Sequence, residues 1–424
     1  MTPAIRRAIW LLGAGQCVYW GMLYYGFSVL LEPMAHELQT SRAIVAGAFS
    51  LGLLVMALVA PQIGRWVDRD HAPRVMRGGA AIAVAGLVAA SQVTQVYQLY
   101  VVWAVLGLAM ASLFYEPVFG LVIRTVANDH ERLRALASVT VVAGLASTIF
   151  LPVMAFLLKR LDWRTMELVV AGVVIVTSWC QQRYVLPALR PAAPPSAPSI
   201  RTTPVVAVRH PATFAVLAVT FVLSMLGGMS LTTLLIPVLV DRGYSDTTGA
   251  SVLAALGVMQ LPGRIWLLRG GRAKSIRGLI ALQLALQMTG MLLVALGGWV
   301  GITAAGVACF GTGSGLHTLA RPWALQSIYG VAAAGRANGL MARYEGLSRA
   351  AGPVLVASLY GAGGAITIFG GLSLALATMA PITWLFVLRN RASAARADTE
   401  HASAAHADPV RLAARDPLGV EAKQ

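Results

Sequence analysis

Apolar residues recur in runs of about 20 or more along most of the chain, and polar residues are largely confined to the short gaps between those runs. A helix needs roughly 20 apolar residues to cross the hydrocarbon core of a bilayer. Open strands cannot span lipid, because their backbone groups would lack hydrogen-bond partners there. We therefore predict an all-α membrane protein with twelve transmembrane helices, at 8–31, 43–63, 75–93, 97–123, 134–158, 164–186, 212–239, 247–268, 276–297, 299–327, 337–360 and 364–388.

The composition supports a membrane protein. Of the 424 residues, 57% are hydrophobic and 12% are charged, whereas soluble domains carry roughly 25% charged residues. The first apolar run is longer than the apolar core of a signal peptide and lacks its small-residue cleavage site, so we expect it to be retained. Cys17, Cys180 and Cys309 lie within predicted spans and are expected to be small buried apolar residues.

The formal charge of +16 sets the expected orientation. In a soluble protein this charge would suggest nucleic acid, but here the basic residues occupy alternate gaps, and we expect no nucleic-acid partner. We expect a multi-pass protein of a bacterial-type inner membrane. Because loops rich in Lys and Arg stay in the cytoplasm, we expect both termini to be cytoplasmic. The gaps assigned to the cytoplasm hold Arg6, Arg7, Arg65, Arg69, Arg74, Arg77, Arg132, Arg134, Arg190, Arg201, Arg209, Arg269, Arg272, Lys274, Arg277, Arg336, Arg389 and Arg391, and the opposite gaps hold Arg42, Lys159, Arg160, Arg164 and Arg242.

A segment rich in Pro, Ala and Ser, 187–204, divides the spans six and six. Such a composition cannot build a core and is typical of a semi-extended linker. The predicted organisation is an N-terminal six-helix bundle at 1–186, a cytoplasmic linker at 187–211, a C-terminal six-helix bundle at 212–390 and a mostly disordered cytoplasmic tail at 391–424.

The two halves repeat the same landmarks in the same order. Two landmarks are "LLEP" against "LLIP" and "GRW" against "GRIW", and two more are "FYEP" against "LARP" and "GLASTIFLP" against "GLSRAAGP". Their offsets are 204, 199, 205 and 201 residues, which indicates two related bundles. Since each half has an even number of spans, the repeats are parallel and related by an axis along the membrane normal.

The strongest local motif is "GRWVDRDHAPR", after the second predicted helix. It resembles the G-x-x-x-D-R-x-G-R-[RK] signature of the major facilitator superfamily, with matches at Gly64, Asp68, Arg69 and Arg74, and with His71 where a glycine is usual. The resemblance covers about 1–390. It implies two pseudo-symmetric six-helix bundles that work by alternating access, and it implies that the loop is a latch for one conformation, although a solvated topology signal remains open.

A finer resemblance is to the monocarboxylate-porter and oxalate/formate-antiporter branch. It rests on "LLEPMAHELQTSRAIVAGAFSLG", "APQIGRWVDR" and "DWR". In that branch an Asp and an Arg four residues apart on helix eight handle proton and carboxylate. Here the spacing is kept as Gln260 and Arg264, so the acid is missing.

Arg321 lies inside an apolar run directly before Pro322. A charge at membrane depth costs about 2.5–3.5 kcal/mol on insertion scales. Glu116 stands at the matching place in the first half, before Pro117, and the resemblance implies that helices four and ten line the central cavity. Two interpretations remain open: Arg321 binds an anion with Glu116 as proton acceptor or counter-charge, or the two form a structural ion pair.

The remaining site candidates are polar residues within predicted spans. Those in helix one could bind a ligand or simply pack, and Glu345 and Arg349, spaced i,i+4, could neutralise each other. The substrate-binding candidates are Arg321, Arg264, Glu116, Tyr115, Gln16, Tyr19, Gln260 and His317. The gating candidates are Gly64, Asp68, Arg69, Arg74, Arg343, Glu345 and Arg349. Arg343 could instead be an anchor that snorkels to the membrane surface.

No nucleotide-binding or zinc-protease motif is present, so the sequence gives no support for ATP-driven pumping, enzymatic chemistry, a cofactor or a metal. "GTGSG" at 311–315 lies in an apolar helix and predicts close helix packing. We expect a monomeric secondary transporter of a small organic anion, a carboxylate, that is proton-coupled or exchanging. The alternatives are efflux of a drug-like or cationic metabolite and, from another class, a non-transporting membrane sensor or scaffold.

Overall fold

The computed structural model describes residues 1–189, 211–269 and 275–387, and every regular element within them is helical. The predicted linker from residue 190 on, Arg272, Lys274 and the tail at 391–424 lie outside the described residues. Twelve helical rods occupy the places of the twelve predicted spans in the described part of the chain. This confirms the predicted fold class.

In the N-terminal half, four rods contain more than one helical segment. The rods are α1 (Pro3–Tyr19, the π-helical Trp20–Tyr25 and Gly26–Glu37), α2 (Arg42–Asp68), α3 (Ala72–Ala90), α4 (Val96–Leu113 and Tyr115–Thr125), α5 (Asp129–Ala143 and Ala146–Leu158) and α6 (Trp163–Cys180 and the π-helical Gln181–Val185).

In the C-terminal half, α8 is broken, and α12 begins as a π-helix. The rods are α7 (Pro211–Asp241), α8 (Asp246–Val258 and Gln260–Leu268), α9 (Ile276–Leu296), α10 (Val300–Tyr329), α11 (Ala334–Ala365) and α12 (the π-helical Ile366–Gly370 and 371–387).

Within the described ranges, nine helices are long and apolar enough to cross a membrane. The other three rods, α1, α10 and α11, are interrupted or carry polar and charged side chains in their length. In a membrane protein, such polar positions belong inside the bundle or beside a water-filled cavity. The three rods that are least apolar are therefore the ones expected to hold the site.

Side-chain caps fix where several rods begin. The Asp162 carboxylate accepts a hydrogen bond from the backbone N–H of Thr165 at 2.9 Å at the start of α6. Ser41 and Ser275 cap α2 and α9 in the same way, through the N–H groups of Ile44 and Gly278. These oxygens satisfy donors that the first turn of a helix leaves unpaired.

The matching prolines of the two halves do not act alike. The backbone leaves the helical conformation at Phe114, so α4 is interrupted just before Glu116 and Pro117. In contrast, α10 runs unbroken through Arg321 and Pro322. A proline lacks the N–H that would bond to the preceding turn, but only in α4 is the helix interrupted beside it.

The glycines of "GTGSG" serve helix packing, as predicted. A Cβ atom at Gly315 would lie 2.1 Å from the carbonyl oxygen of Gln260 on α8, and one at Gly313 would lie 2.8 Å from the Gln287 side chain on α9. Only glycine allows the backbones to approach this closely.

The two halves pack against each other mainly at one end of the molecule, which we call the Asp68 face, since α2 ends there. The opposite end is called the Glu37 face, after the last residue of α1. One hydrophobic cluster at the Asp68 face joins residues of both halves, such as Val67 and Leu325. Two further clusters, with Trp103 in one and Phe310 in the other, each stay within one half.

Glycines set the close contact of α2 with α11 at the Asp68 face. A Cβ at Gly64 would lie 2.1 Å from the carbonyl oxygen of Gly335, and one at Gly339 would lie 2.3 Å from that of Ala60. The segments of α5 and α8 that contact each other, Asp129–Ala143 and Gln260–Leu268, also belong to this end. The molecule is therefore closed at the Asp68 face.

Candidate functional site

A cavity of about 350 Å³ lies between the two halves, near the middle of the rods. Residues of α1, α2, α4 and α5 line one side of it, and residues of α7, α8, α10 and α11 line the other. The volume is at the lower end of the range for small-molecule sites. It suits a small ligand.

Arg321 faces this cavity and is held by two carboxylates. Its Nη1 donates to Glu345 Oε2 at 2.7 Å, and its Nη2 donates to Glu116 Oε1 at 3.4 Å. Arg321 is 8% exposed and Glu345 is 3% exposed. Because a buried guanidinium needs a nearby counter-charge, the pair with Glu345 is the main reason that Arg321 can occupy this depth.

His317 extends the charged group into the C-terminal half. Its Nε2 lies 3.2 Å from Glu345 Oε1, and its Nδ1 lies 3.1 Å from Gln283 Nε2. A neutral imidazole with the proton on Nε2 satisfies both contacts, because it then donates to the carboxylate and accepts from the amide. Phe221 packs edge-on against the ring at 5.1 Å. These contacts fix the orientation of Glu345.

Arg264 is a second buried arginine, and it spans the two halves. Nη1 donates to the carbonyl oxygen of Thr140 on α5 at 2.9 Å, and Nη2 donates to Gln260 Oε1 at 2.9 Å. It is 4% exposed, and its Nε has no hydrogen-bond partner among the described residues. None of its partners is a carboxylate, so its charge is unneutralised.

Arg349 also lines the cavity without a close counter-charge. Its Nη2 donates a hydrogen bond to the sulfur of Met225 at 3.8 Å, and the guanidinium forms no ion pair in the described part of the chain. Glu345, one turn earlier on α11, is directed instead to Arg321. The predicted mutual neutralisation of Glu345 and Arg349 is therefore replaced by a pair between two different helices.

The N-terminal half gives the cavity an aromatic side. Tyr115 stacks on Phe119 with ring centres 4.8 Å apart, and Trp20 stacks on Phe114 at 4.1 Å. Trp20 and Tyr115 are themselves 5.2 Å apart. These rings, with Tyr24 and Tyr25, form a continuous aromatic wall on the side of the cavity that the N-terminal half provides.

Two of the predicted substrate-binding residues lie outside the cavity lining. Gln16 is fully buried, and its Nε2 donates to the carbonyl oxygen of Leu113 at 2.7 Å. Tyr19 is also fully buried, and its hydroxyl donates to Gln181 Oε1 at 3.3 Å. Both therefore pack between helices of the N-terminal half.

A π-helical segment in α1 makes its cavity-facing residues hard to predict from the sequence. It begins at Trp20 and ends at Tyr25, and it wraps more residues into each turn than an α-helix does. It places Tyr25 along the cavity together with Trp20 and Tyr24, whereas an ideal helical period would put only Trp20 and Tyr24 on one face. The crowding of aromatic residues in "YWGMLYY" was the available signal.

The predicted latch residue Asp68 connects the halves at the Asp68 face. Its two carboxylate oxygens accept hydrogen bonds from the backbone N–H groups of Gly335 and Arg336, each at 2.7 Å. These N–H groups belong to the first turn of α11, where the helix dipole favours a negative charge. Asp68 therefore caps a helix of the opposite half.

Three of the predicted gating residues lie on the surface instead. Arg69, Arg74 and Arg343 are exposed, and none of them lines the cavity. The sequence reasoning missed a contact in the same loop, in which Arg124 Nε donates to Asp70 Oδ1 at 2.7 Å. Asp70, the residue before His71, has φ of 61° and so adopts the left-handed conformation, which is uncommon for a residue other than glycine.

At the Glu37 face, an ion pair ties α1 to α6. Arg164 Nη2 donates to Glu37 Oε1 at 2.7 Å, and the indole N–H of Trp163 donates to Oε2 at 2.5 Å. The hydrogen bonds from Arg164 and Trp163 hold the pKa of Glu37 below its usual value of 4.5. This part of the protein should therefore loosen at acid pH.

Searching the described residues reveals no cluster of three or more His, Cys, Asp or Glu side chains suited to a metal ion. The polar groups of the cavity lining among these residues are guanidinium groups, carboxylates, phenols, hydroxyls, one amide, one indole and one imidazole.

Comparison with known proteins identifies the architecture. The family model of the Major Facilitator Superfamily matches residues 12–353. A search of curated protein sequences gives no significant match.

Several solved structures are similar to the chain. The human organic anion transporter MFSD10 (TETRAN) matches with a TM-score of 0.66 and 13% identity, over 91% of this chain and 100% of that chain. FucP, a transporter solved in the outward conformation, matches with a TM-score of 0.64 and 12% identity, over 90% of this chain and 98% of that one. The proton:xylose symporter XylE, bound to 6-bromo-6-deoxy-D-glucose, matches with a TM-score of 0.65 and 11% identity, over 92% and 96%.

Proposed function

Because the chain belongs to the major facilitator superfamily, we propose that it is a secondary active transporter that moves a small organic anion, a carboxylate, by alternating access. The observation that carries this proposal is the pair of cavity arginines, Arg264 and Arg349, that have no carboxylate partner in the described part of the chain. A planar guanidinium can bind a carboxylate through two parallel hydrogen bonds.

The charge balance of the cavity favours a single negative charge on the ligand. Its lining holds three arginines and two glutamates, which leaves one positive charge when His317 is neutral. Both glutamates, Glu116 and Glu345, are bound to Arg321. A monoanion at Arg264 and Arg349 would complete the neutralisation, and the low dielectric of a membrane interior makes that gain larger than in water.

The contacts of Arg321 favour the structural interpretation of this residue. Its partners are the deeply buried Glu345 and the less buried Glu116. We therefore assign the role of first anion ligand to Arg264, and we assign to Arg321 the role of holding α10, α11 and α4 together. Glu116 keeps its proposed role as counter-charge or proton acceptor, because its side chain is 14% exposed.

Efflux of a cation is less well supported. A cation needs a cavity carboxylate that is free to bind it, and both carboxylates of the described lining already contact Arg321. MFSD10 is an organic anion transporter, in agreement with the anion proposal, but the low identity limits its likeness to this chain to the fold.

The closed Asp68 face suggests how access alternates. The carboxylate of Asp68 and the glycine contacts of α2 with α11 hold that face shut. We assign it to the cytoplasm, from the distribution of arginines in the sequence. In the alternate state, the Asp68 contacts would break and the Glu37-face segments of the two halves would approach each other.

Thermal unfolding of the purified protein in detergent with a ligand panel tests this function. Small monocarboxylates should raise the unfolding temperature, since a ligand that binds only the folded state stabilises it. Neutral amides of the same shape and organic cations should not. Stabilisation by cations alone would refute the anion proposal. In the Arg264→Gln variant, the stabilisation by carboxylates should be lost, whereas an Arg343→Gln variant on the exposed surface should behave like the wild type.

A further inference from the structure

The aromatic wall narrows the class of anion. We propose that the substrate is an aromatic monocarboxylate, whose ring packs against Trp20 and Tyr115 while its carboxylate binds Arg264 and Arg349. This inference rests on the proposed function and specifies its substrate.

The wall is prepared for a flat apolar group. Trp20 and Tyr115 are half-buried and line the cavity, whereas Phe114 and Phe119 behind them are 1% and 2% exposed. Each front ring is stacked on a back ring, Trp20 on Phe114 and Tyr115 on Phe119. The stacking fixes the orientation of the front rings, so little ordering is required when a ligand packs on them.

Arg264 and Arg349, the two arginines without a carboxylate partner among the described residues, line the same cavity as this wall. Tyr25 and Tyr115 line the same cavity as Arg264 and Arg349. Arg264 is more than nine-tenths buried, and its Nε has no partner among the described residues. The carboxylate of a bound ligand would thus share the cavity with two guanidinium groups and two phenols.

The size and charge of the cavity restrict the ligand further. A volume of about 350 Å³ admits a ring with one short substituent rather than a large drug. One uncompensated positive charge matches one carboxylate. A short aliphatic acid would satisfy the arginines but would leave the aromatic wall uncovered.

Such a ligand would also connect the two halves. The rings of Trp20 and Tyr115 belong to α1 and α4, whereas Arg264 and Arg349 belong to α8 and α11. A molecule that contacts both sides favours the conformations in which the halves lie close together around it. Arg264 already bridges the halves through the carbonyl oxygen of Thr140, so it would change partners when the carboxylate binds.

Isothermal titration of the purified protein with benzoate, cyclohexanecarboxylate and benzamide tests the inference. These probes separate ring aromaticity from charge at nearly constant size. We expect benzoate to bind more tightly than cyclohexanecarboxylate by about 2- to 10-fold, the range of an aromatic stacking contribution. Benzamide should not bind detectably.

Two kinds of variant test whether the aromatic wall causes the preference for benzoate over cyclohexanecarboxylate. Trp20→Leu and Tyr115→Leu should reduce the ratio of benzoate to cyclohexanecarboxylate affinity toward one, whereas Trp20→Phe and Tyr115→Phe should keep it, provided that each protein is folded. The control is Trp179→Leu, because Trp179 packs edge-on against Tyr184 at 5.9 Å and does not line the cavity.

The outcomes separate this inference from the proposed function. Equal affinities for benzoate and cyclohexanecarboxylate in the wild type would overturn the aromatic substrate while leaving the carboxylate transporter intact. Binding of benzamide as tight as that of benzoate, or no binding of either carboxylate, would overturn both. A ratio unchanged in the folded Trp20→Leu and Tyr115→Leu variants would also overturn the inference.

Discussion

Replacing Glu345 with glutamine separates the structural and ligand-binding roles of Arg321. The substitution keeps the shape of the side chain but removes its charge, so Arg321 would retain only the weaker contact with Glu116. Removing one partner of a buried ion pair costs about 3–5 kcal/mol, because the other charge stays buried without compensation. Glu345 is 3% exposed and lies 2.7 Å from Arg321, so we expect Glu345→Gln to fall within that range.

Glu116→Gln provides the matched comparison. The Glu116 oxygen is 3.4 Å from Arg321, and the carboxylate side chain is 14% exposed. A longer, more hydrated pair contributes about 1 kcal/mol or less. The structure therefore predicts that Glu345→Gln lowers the free energy of unfolding at least twice as much as Glu116→Gln does.

The assay is unfolding of the purified protein by a denaturing detergent, followed by circular dichroism. The double variant Arg321→Gln with Glu345→Gln should be more stable than Glu345→Gln alone, since it removes the stranded guanidinium. The reasoning is refuted if Glu116→Gln is the more damaging substitution. It is also refuted if all these variants unfold like the wild type while losing carboxylate affinity, because Arg321 would then be a ligand-binding residue.

Three further predictions concern other contacts. A Cβ at Gly144 would lie 2.5 Å from Nη1 of Arg264, so Gly144→Ala should weaken carboxylate binding about tenfold in a titration, whereas Gly172→Ala, with nothing within 4 Å of its Cβ, should not. Asp68→Asn loses one of two charge-assisted hydrogen bonds, worth about 1.5–3 kcal/mol, and so weakens the closed Asp68 face. A cysteine placed in the cavity should then react faster with a reagent added from the cytoplasmic side. Equal reactivity in the variant and the wild type would mean that the loop is not a latch. Because the pKa of Glu37 is lowered in the folded protein, its ionised carboxylate stabilises the fold above pH 4.5, and this stabilisation is lost as the pH falls through the lowered pKa. The unfolding temperatures of the wild type and Glu37→Gln should therefore converge at acid pH. A constant difference between them from pH 7 to pH 3 would contradict this prediction.

The fold followed from the apolar runs because membrane spans are governed by length and hydropathy alone. The resemblance of the motif around Asp68 to the family signature implied a latch for one conformation. The partners of Asp68, the N–H groups of Gly335 and Arg336, could not be read from the sequence, because backbone groups leave no signature in residue type.

The pairing inside the cavity could be predicted only in part. Arg321 and Glu116 were matched through the repeat, and the structure brings them together. Glu345 was assigned to Arg349, because i,i+4 spacing is the only proximity that sequence shows directly. Its stronger partner is on another helix, and the packing of α10 against α11 that creates this contact depends on the whole fold.

The face of α1 was harder to predict for a different reason. A regular helical period assigns neighbours four residues apart to one stripe, but the π-helical turn from Trp20 to Tyr25 changes the period within the span. Gln16 and Tyr19 then turn toward other helices, while the aromatic residues after them face the cavity. Such turns depend on packing and have no reliable sequence signature.

The most direct test of the central claim is transport by the purified protein in liposomes. Vesicles loaded with unlabelled benzoate should take up labelled benzoate faster with the wild type than without protein, and Arg264→Gln should reduce the protein-dependent rate at low substrate by about tenfold or more, as expected when a charge-assisted hydrogen bond of about 1.5–3 kcal/mol is lost. Protein-dependent exchange that is the same in folded Arg264→Gln and in the wild type would contradict the account.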